Sequence, residues 1–312
     1  MTKRVLIAAD VDPSLINRLK ADPRFEVRID IAADEDMLTA SAGFAEVLIT
    51  RAHNRVTARV IAAAPDLQLI AQGTSGVDNI DQDAARARNI ALISLPGENA
   101  NAVAEFVIGQ MIALTRTIPF YHRSMVERQW LRNDCANRSE LRSYRLGIVG
   151  LGRVGSRVAA LASTFGVDIQ AYDPYLTPEV CRHRGATKIE GFPDLLRTSD
   201  IVSFHVPLTR ETRGMLGFDE MQFLRKGAMV INASRGEVTD IDSLLKGLES
   251  GHLGGVALDV YENEPPDRRW PDTPGLILTP HIAGCSRESK QSIGETLYRK
   301  ICEFYGFAPA GN

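Results

Sequence analysis

At 312 residues, with 44% apolar and 24% charged residues and a formal net charge of −3, the chain is longer than one ordinary domain needs and lacks the bias of a disordered or nucleic-acid-binding protein. That length predicts two domains, each able to bury its own core, and the weak charge points to small molecules rather than nucleic acid or an anionic membrane. Cysteines at 135, 181, 285 and 302 have neither C-x-x-C spacing nor the density of a disulfide scaffold, so no metal is expected and a reducing cytoplasm fits best.

The opening apolar run, Val5 to Ala9, is closed by Asp10, which makes it a first strand rather than a signal peptide. Helical and extended patterns then alternate: Pro13–Lys20, Phe25–Ile31, Asp34–Ser41, Glu46–Thr50, Thr57–Ala64, Leu67–Ala71, Asp81–Arg88 and Ile90–Leu95. Strict alternation predicts a parallel sheet with helices on both faces. Leu95 to Arg116 reads as a long connecting helix after Pro96-Gly97, and Asn101, Glu105 and Gln110 make its apolar part unfit to span a membrane. Residues 117–143 read as a loop or extended arm.

The stretch LGIVGLGRVGSRVA, Leu146 to Ala159, then places Gly150, Gly152 and Gly155 in G-x-G-x-x-G spacing between an apolar strand and a helix. The first glycine permits the tight turn, the second lets a pyrophosphate approach the backbone, and the third lets the helix pack on the strand. A second strand, Val167–Tyr172, ends at Asp173, eighteen residues after Gly155. A carboxylate there accepts both ribose hydroxyls of NAD and repels the 2′-phosphate of NADP; the alternative is a ligand-free glycine turn and a surface acid.

Beyond Asp173, a short helix holds Asp194–Leu196, strands run over Ile201–Val206, Ala228–Asn232, Gly255–Val260 and Leu276–Leu278, and helices over Phe218–Leu224 and Ile241–Ser250. The final helical stretch, Arg287–Phe304, can pack back on the first domain. The expected division is therefore residues 1–97 plus 285–312 as a substrate domain and 98–284 as a dinucleotide-binding domain, with ligands in the cleft between them. Three strand-end loops carry chemistry: ASRGE presents Arg235, YENEPP presents Glu264 and TPHIAG presents His281. Imidazole can take or return the proton of a secondary alcohol, a paired Glu264 favours its imidazolium, and the guanidinium fork can hold a carboxylate while polarising a C2 oxygen.

These motifs resemble the D-2-hydroxyacid dehydrogenase family from end to end, in LGIVGLGRVG with Asp173, INASRGEVTD, ALDVYENEPP and LTPHIAG. GTSGVDNID and ENANAVAEFVIGQMIAL look most like its phosphoglycerate dehydrogenase branch. The resemblance implies an α/β fold of two doubly wound parallel-sheet domains, one Rossmann and one flavodoxin-like, and an NAD-dependent oxidoreductase acting on a D-2-hydroxy acid. It implies catalytic Arg235, Glu264 and His281. To the cofactor it assigns Gly150, Gly152, Arg153, Val154, Gly155, Asp173, the backbone of His205, Val206 and Pro207, together with Ala233 and Asp259. Asp259 would meet the nicotinamide carboxamide, with a buried strand-end hydrogen-bonding role as its alternative.

Substrate contacts would come from Arg51, for a distal anionic group, with a solvated Arg as the alternative, and from the backbone N–H groups of Ser75 and Gly76, with an ordinary strand-to-helix turn as theirs, besides Arg235 and His281. A homodimer is also implied. SELRSYRLG lacks the Gly-Lys-Thr that often precedes the nucleotide strand, and Cys285 replaces a more usual small polar residue; the thiol is expected to be packed. Ending at residue 312, the chain has no expected regulatory domain. An NADH-sensing binding protein or corepressor of the same fold is the competing class.

Overall fold

The computed structural model describes residues 2–133 and 138–308. The chain divides into two compact units, one of residues 1–99 with 285–312 and one of residues 100–284.

The first unit alternates β1 (Lys3–Ile7), α1 (Pro13–Ala21), β2 (Phe25–Ile29), α2 (Glu35–Ser41), β3 (Val47–Thr50), α3 (Ala58–Ala63), β4 (Leu69–Gln72), α4 (Gln82–Ala87) and β5 (Ala91–Ile93). All pairings are parallel, in the flavodoxin-like order β2-β1-β3-β4-β5. Strand period two sorts neighbours to opposite faces. Val5, Ile7, Val47, Ile49 and Leu69 meet α1 and the C-terminal helix Arg287–Phe304, whereas Leu6, Leu48 and Ile70 meet α2 and α3. Helices α2, α3 and α4 start one residue later than their patterns suggest. Asp34, Thr57 and Asp81 cap them instead, each accepting a backbone N–H three residues on. Beneath the C-terminal helix, the Tyr298 hydroxyl and Arg24 guanidinium both donate to buried Asp22. The Arg24 hydrogen bonds, above all, hold that carboxyl down at about 2.

The second unit runs α5 (Ala100–Thr115), α6 (Ile118–Val126), β6 (Arg145–Val149), α7 (Arg153–Ser163), β7 (Asp168–Tyr172), α8 (Pro178–His183), β8 (Thr187–Lys188) and α9 (Phe192–Thr198), then β9 (Ile201–Phe204), α10 (Phe218–Met221), β10 (Ala228–Asn232), α11 (Ile241–Glu249), β11 (Leu253–Leu258) and β12 (Leu276–Leu278). Its seven parallel strands lie in the order β12-β11-β10-β9-β6-β7-β8. This is the doubly wound Rossmann order extended by one strand, and it reverses at β6, where a dinucleotide is expected. Val103, Val107, Met111 and Leu114 of α5 are buried in the core with Leu146, Ile148, Val158 and Ala159, which makes α5 a core helix. No single helix is long and apolar enough to cross a membrane among the described residues.

Three local expectations are corrected. Residues 117–143 are not simply an arm, because α6 forms there with Pro119 in its first turn, where a missing N–H costs nothing; residues 134–137, including Cys135, lie outside the described residues. Helix α8 and the two-residue β8 were not anticipated after Asp173. Cys285 is exposed rather than packed.

Candidate active site

The three glycines of the turn after β6 answer different demands. Gly150 has φ +86°, and a Cβ there would stand 2.7 Å from the Val206 side chain and 2.8 Å from the His205 carbonyl oxygen. At Gly155 a Cβ would lie 2.1 Å from the Gly150 carbonyl oxygen, so α7 can approach β6 only without a side chain. Around Gly152 an added Cβ meets nothing within 4 Å. The protein's own packing thus does not require this glycine, and the open cradle suits a close ligand. Gly152 also caps the eleven-residue α7 without a side-chain hydrogen bond, and the first turn, including Arg153 and Val154, offers backbone N–H groups to an anion. Those observations fit a pyrophosphate.

Asp173 follows β7, the neighbour of β6. Its carboxylate accepts the Leu151 N–H at 3.0 Å and the Tyr175 N–H at 3.1 Å, which anchors it beside the turn with lone pairs to spare for hydroxyl donors. On the other side of β6, His205 donates its backbone N–H to the Val149 carbonyl at 2.8 Å, and His205 with Val206 walls Gly150. The His205 Nε2 meets the Ser203 hydroxyl at 2.9 Å, while Nδ1 is buried without a hydrogen-bond partner among the described residues. Burial pushes this imidazole down to about 4, leaving it neutral and unsuited to proton exchange near neutral pH. Exposed Pro207 and half-buried Ala233 lie past β9 and β10.

Arg235, Glu264 and His281 follow β10, β11 and β12, three adjacent strands with their carboxyl ends on one edge. His281 Nδ1 and Glu264 Oε2 are 2.7 Å apart. The other Glu264 oxygen accepts the Tyr261 N–H at 3.0 Å. Desolvation opposes ionisation of Glu264, but the His281 contact, the Tyr261 N–H and the Arg235 charge outweigh it and hold the carboxyl below its ordinary range. Glu264 thus engages the Nδ1 side of the imidazole and leaves Nε2 as the ring nitrogen it does not touch. Arg235 is half-buried, and its Nη1 donates to the Ser234 carbonyl.

Residues that sequence reasoning left unassigned hold this trio. Buried Asn232 donates to the Arg235 carbonyl and Thr239 hydroxyl and accepts from the Ser234 N–H and hydroxyl, shaping the Arg235 loop. An Asn at a strand end is an Asx-turn signal and could have been found that way. Gly236 lets that loop touch the Glu264 loop, since a Cβ there would lie 2.0 Å from the Tyr261 carbonyl carbon. The Tyr261 hydroxyl donates to the Thr279 carbonyl, and burial lifts its phenol to about 12.

Asp259 has the burial and the hydrogen bonds of the alternative considered for it. Its buried carboxylate accepts from the Thr279 hydroxyl at 2.6 Å and the N–H groups of Ile282 and Ala283 at 2.9 and 2.8 Å. Its carbonyl accepts the His281 N–H at 2.8 Å. Together these bonds hold His281 at φ +54°, a left-handed conformation that costs a non-glycine residue about 1–2 kcal/mol.

In the first unit, Arg51 follows β3 and the Ser75–Gly76 turn follows β4, its neighbour. Gln72, fully buried, accepts from Thr50 and donates to Thr74, the Gly76 carbonyl and Asn79. Asn79 in turn donates to the carbonyls of Arg51 and Asn54, so one polar network ties both loops together. The Ser75 hydroxyl donates to the Leu95 carbonyl.

Residues 108–283 match the family described as D-isomer specific 2-hydroxyacid dehydrogenase, NAD binding domain. A D-3-phosphoglycerate dehydrogenase of Archaeoglobus fulgidus is 34% identical over 99% of this chain and 58% of that protein, and one of Bacillus subtilis is 35% identical over 83% and 49%. The chain thus spans about half the length of these relatives. The crystal structure of D-lactate dehydrogenase from Aquifex aeolicus with NAD and lactic acid superposes with a TM-score of 0.84, at 25% identity over 97% of this chain and 96% of that one. With a Rossmann unit whose strand-end loops hold the glycine turn, Asp173, Arg235, Glu264 and His281, and with the family match spanning most of that unit, the chain belongs to the D-isomer specific 2-hydroxyacid dehydrogenase family.

Proposed function

We propose that the chain is an NAD-dependent oxidoreductase of the CH–OH group, reversible between a small D-2-hydroxy acid and its 2-oxo acid. The observation that carries the reading is the Glu264–His281 pair at 2.7 Å on the strand edge that also bears the glycine turn. NAD supplies the hydride acceptor in oxidation and, reduced, the donor. In oxidation His281 Nε2 takes the substrate hydroxyl proton, and Glu264 at Nδ1 compensates the imidazolium; in reduction the same atom returns it. Arg235 holds the substrate carboxylate and polarises the C2 oxygen. Gly150 to Gly155 receive the pyrophosphate, Asp173 the adenosine ribose, and the backbone of His205 to Pro207 the adenine side. Ala233 and Asp259 border the nicotinamide side, Asp259 chiefly by fixing the loop that bears His281.

Residues 1–97 with 285–312 serve as the substrate domain, Ser75 and Gly76 receiving the substrate carboxylate and Arg51 a distal anionic group. The names of similar proteins make 3-phosphoglycerate and glyoxylate the first substrates to try, with hydroxypyruvate beside them as another small 2-oxo acid. We further assign a cytoplasmic setting, from cysteine usage, and a homodimer. Exposed Ile118, Met125 and Val126 on α6, with Trp130 at 74% exposure, support self-association, because large exposed apolar side chains gain by burial.

The test is NADH and NADPH consumption with a panel of 2-oxo acids, phosphorylated and sulfonated ones included, with product chirality. NADH-preferring formation of a D-product supports the reading; NADH binding without turnover on any member favours the binding-protein class instead.

A further inference from the structure

Leu151 stands between the first two glycines of the cofactor turn, and side chains hold it at both ends. Its N–H donates to Asp173 at 3.0 Å. Its carbonyl accepts from Arg184 Nη1 at 2.6 Å. The Leu151 side chain is fully buried, so the residue cannot shift toward solvent without cost. Arg184 is the half-buried residue that ends α8, just before Gly185 at φ +84°. Nothing in the proposed chemistry uses this guanidinium, yet it reaches across from α8 to the backbone of the turn.

Among the described residues the only cis peptide precedes Pro265, so the Leu151–Gly152 bond is trans, and its carbonyl and N–H point in opposite directions. Drawing the Leu151 carbonyl toward Arg184 therefore aims the Gly152 N–H away from α8. Gly152 is the position with nothing within 4 Å of an added Cβ. Turning that peptide over would replace a donor with a carbonyl oxygen, whose partial negative charge opposes an anion.

We infer that Arg184 is a positioning residue for the dinucleotide site: it fixes the Leu151–Gly152 peptide with its N–H toward the pyrophosphate, while Asp173 fixes the preceding peptide. This rests on the NAD reading above and extends it to a residue outside the glycine motif. Charge-assisted hydrogen bonds of this length are the stronger class, and their loss leaves a carbonyl without its partner.

The test titrates NADH, ADP-ribose and adenosine calorimetrically into the wild-type chain, Arg184→Gln, Arg184→Lys and Arg184→Met, the last keeping an apolar stem without donors. Arg184→Gln and Arg184→Met are expected to weaken NADH and ADP-ribose about tenfold and to leave adenosine within about twofold. Arg184→Lys, which can still donate to the carbonyl, should recover part of the loss. At saturating NADH, kcat should stay within about twofold of wild type. Unchanged NADH affinity in a folded Gln or Met variant overturns the inference, and so does equal weakening of adenosine, which would locate the effect in α8 packing. A wild-type chain that binds no NADH removes the NAD reading itself.

Discussion

Replacing Gly236 by Ala tests whether the Arg235 and Glu264 loops act as one rigid body. The new Cβ would lie 2.0 Å from the Tyr261 carbonyl carbon and 2.4 Å from both the Tyr261 oxygen and the Glu262 nitrogen, all of them backbone atoms. One of the two loops must therefore retreat by about 1 Å or more, at about 1–3 kcal/mol for overpacking. The retreat strikes the site directly, since Arg235 precedes Gly236 and the Tyr261 N–H is held by Glu264, the partner of His281. A misplacement of about 1 Å costs about a hundredfold in rate, so kcat/KM for a 2-oxo acid should fall by about that factor. NADH affinity should stay within about threefold, because β9 separates β10 from the strand that bears the glycine turn. Steady-state kinetics, NADH fluorescence titration and thermal melting read the three effects. Gly152→Ala is the mirror case: with no atom within 4 Å of its Cβ it should melt as wild type and lose NADH affinity. Wild-type kcat/KM in Gly236→Ala would refute the rigid coupling of the loops.

Glu264→Gln removes the carboxylate that meets His281 Nδ1 and compensates its charge when the imidazole holds a proton, so kcat for 2-oxo acid reduction should fall by about tenfold or more at unchanged NADH affinity; an unchanged kcat means that the pair does not serve proton transfer. Asp173→Ala should relax the preference for NADH over NADPH, read as the ratio of kcat/KM values; an unchanged ratio removes its ribose role. In the first unit, Asp22→Asn should lower the melting temperature at neutral pH, since a carboxyl held at about 2 contributes on the order of 1–2 kcal/mol there. Because the folded value is depressed, that contribution is complete above about pH 4 and is lost as pH falls toward about 2, so the gap from wild type should close over that window. A gap that persists into acid would show that Arg24 and Tyr298 do not stabilise the carboxylate.

What could be read in the chain before its structure follows from what each feature encodes. Buried parallel strands are short apolar runs, so Ala228–Asn232 and Leu276–Leu278 were found with their observed bounds, and with them the loops bearing Arg235 and His281. Helix starts came out early at Asp34, Thr57 and Asp81 because a capping side chain looks like the first helical residue while its backbone stays extended. Helix α6 was hidden by Pro119, which as readily marks a loop as a first turn, and β8 is two residues long, too short to show a period. Asp259 finds its partners at residues 279, 282 and 283, so only a fold that sets β11 beside β12 reveals it as the anchor of the His281 loop. The contact of Gly236 with Tyr261 is equally invisible from spacing, because it depends on how closely two loops approach.

His281, held at Nδ1 by Glu264 and placed by the loop that Asp259 anchors, is the group proposed to move the substrate proton. His281→Ala, assayed for turnover with the best 2-oxo acid and for NADH binding by fluorescence, addresses this most directly. Turnover should fall by about a thousandfold while the NADH dissociation constant stays within about twofold. Turnover near the wild-type rate in that variant would contradict this role for His281.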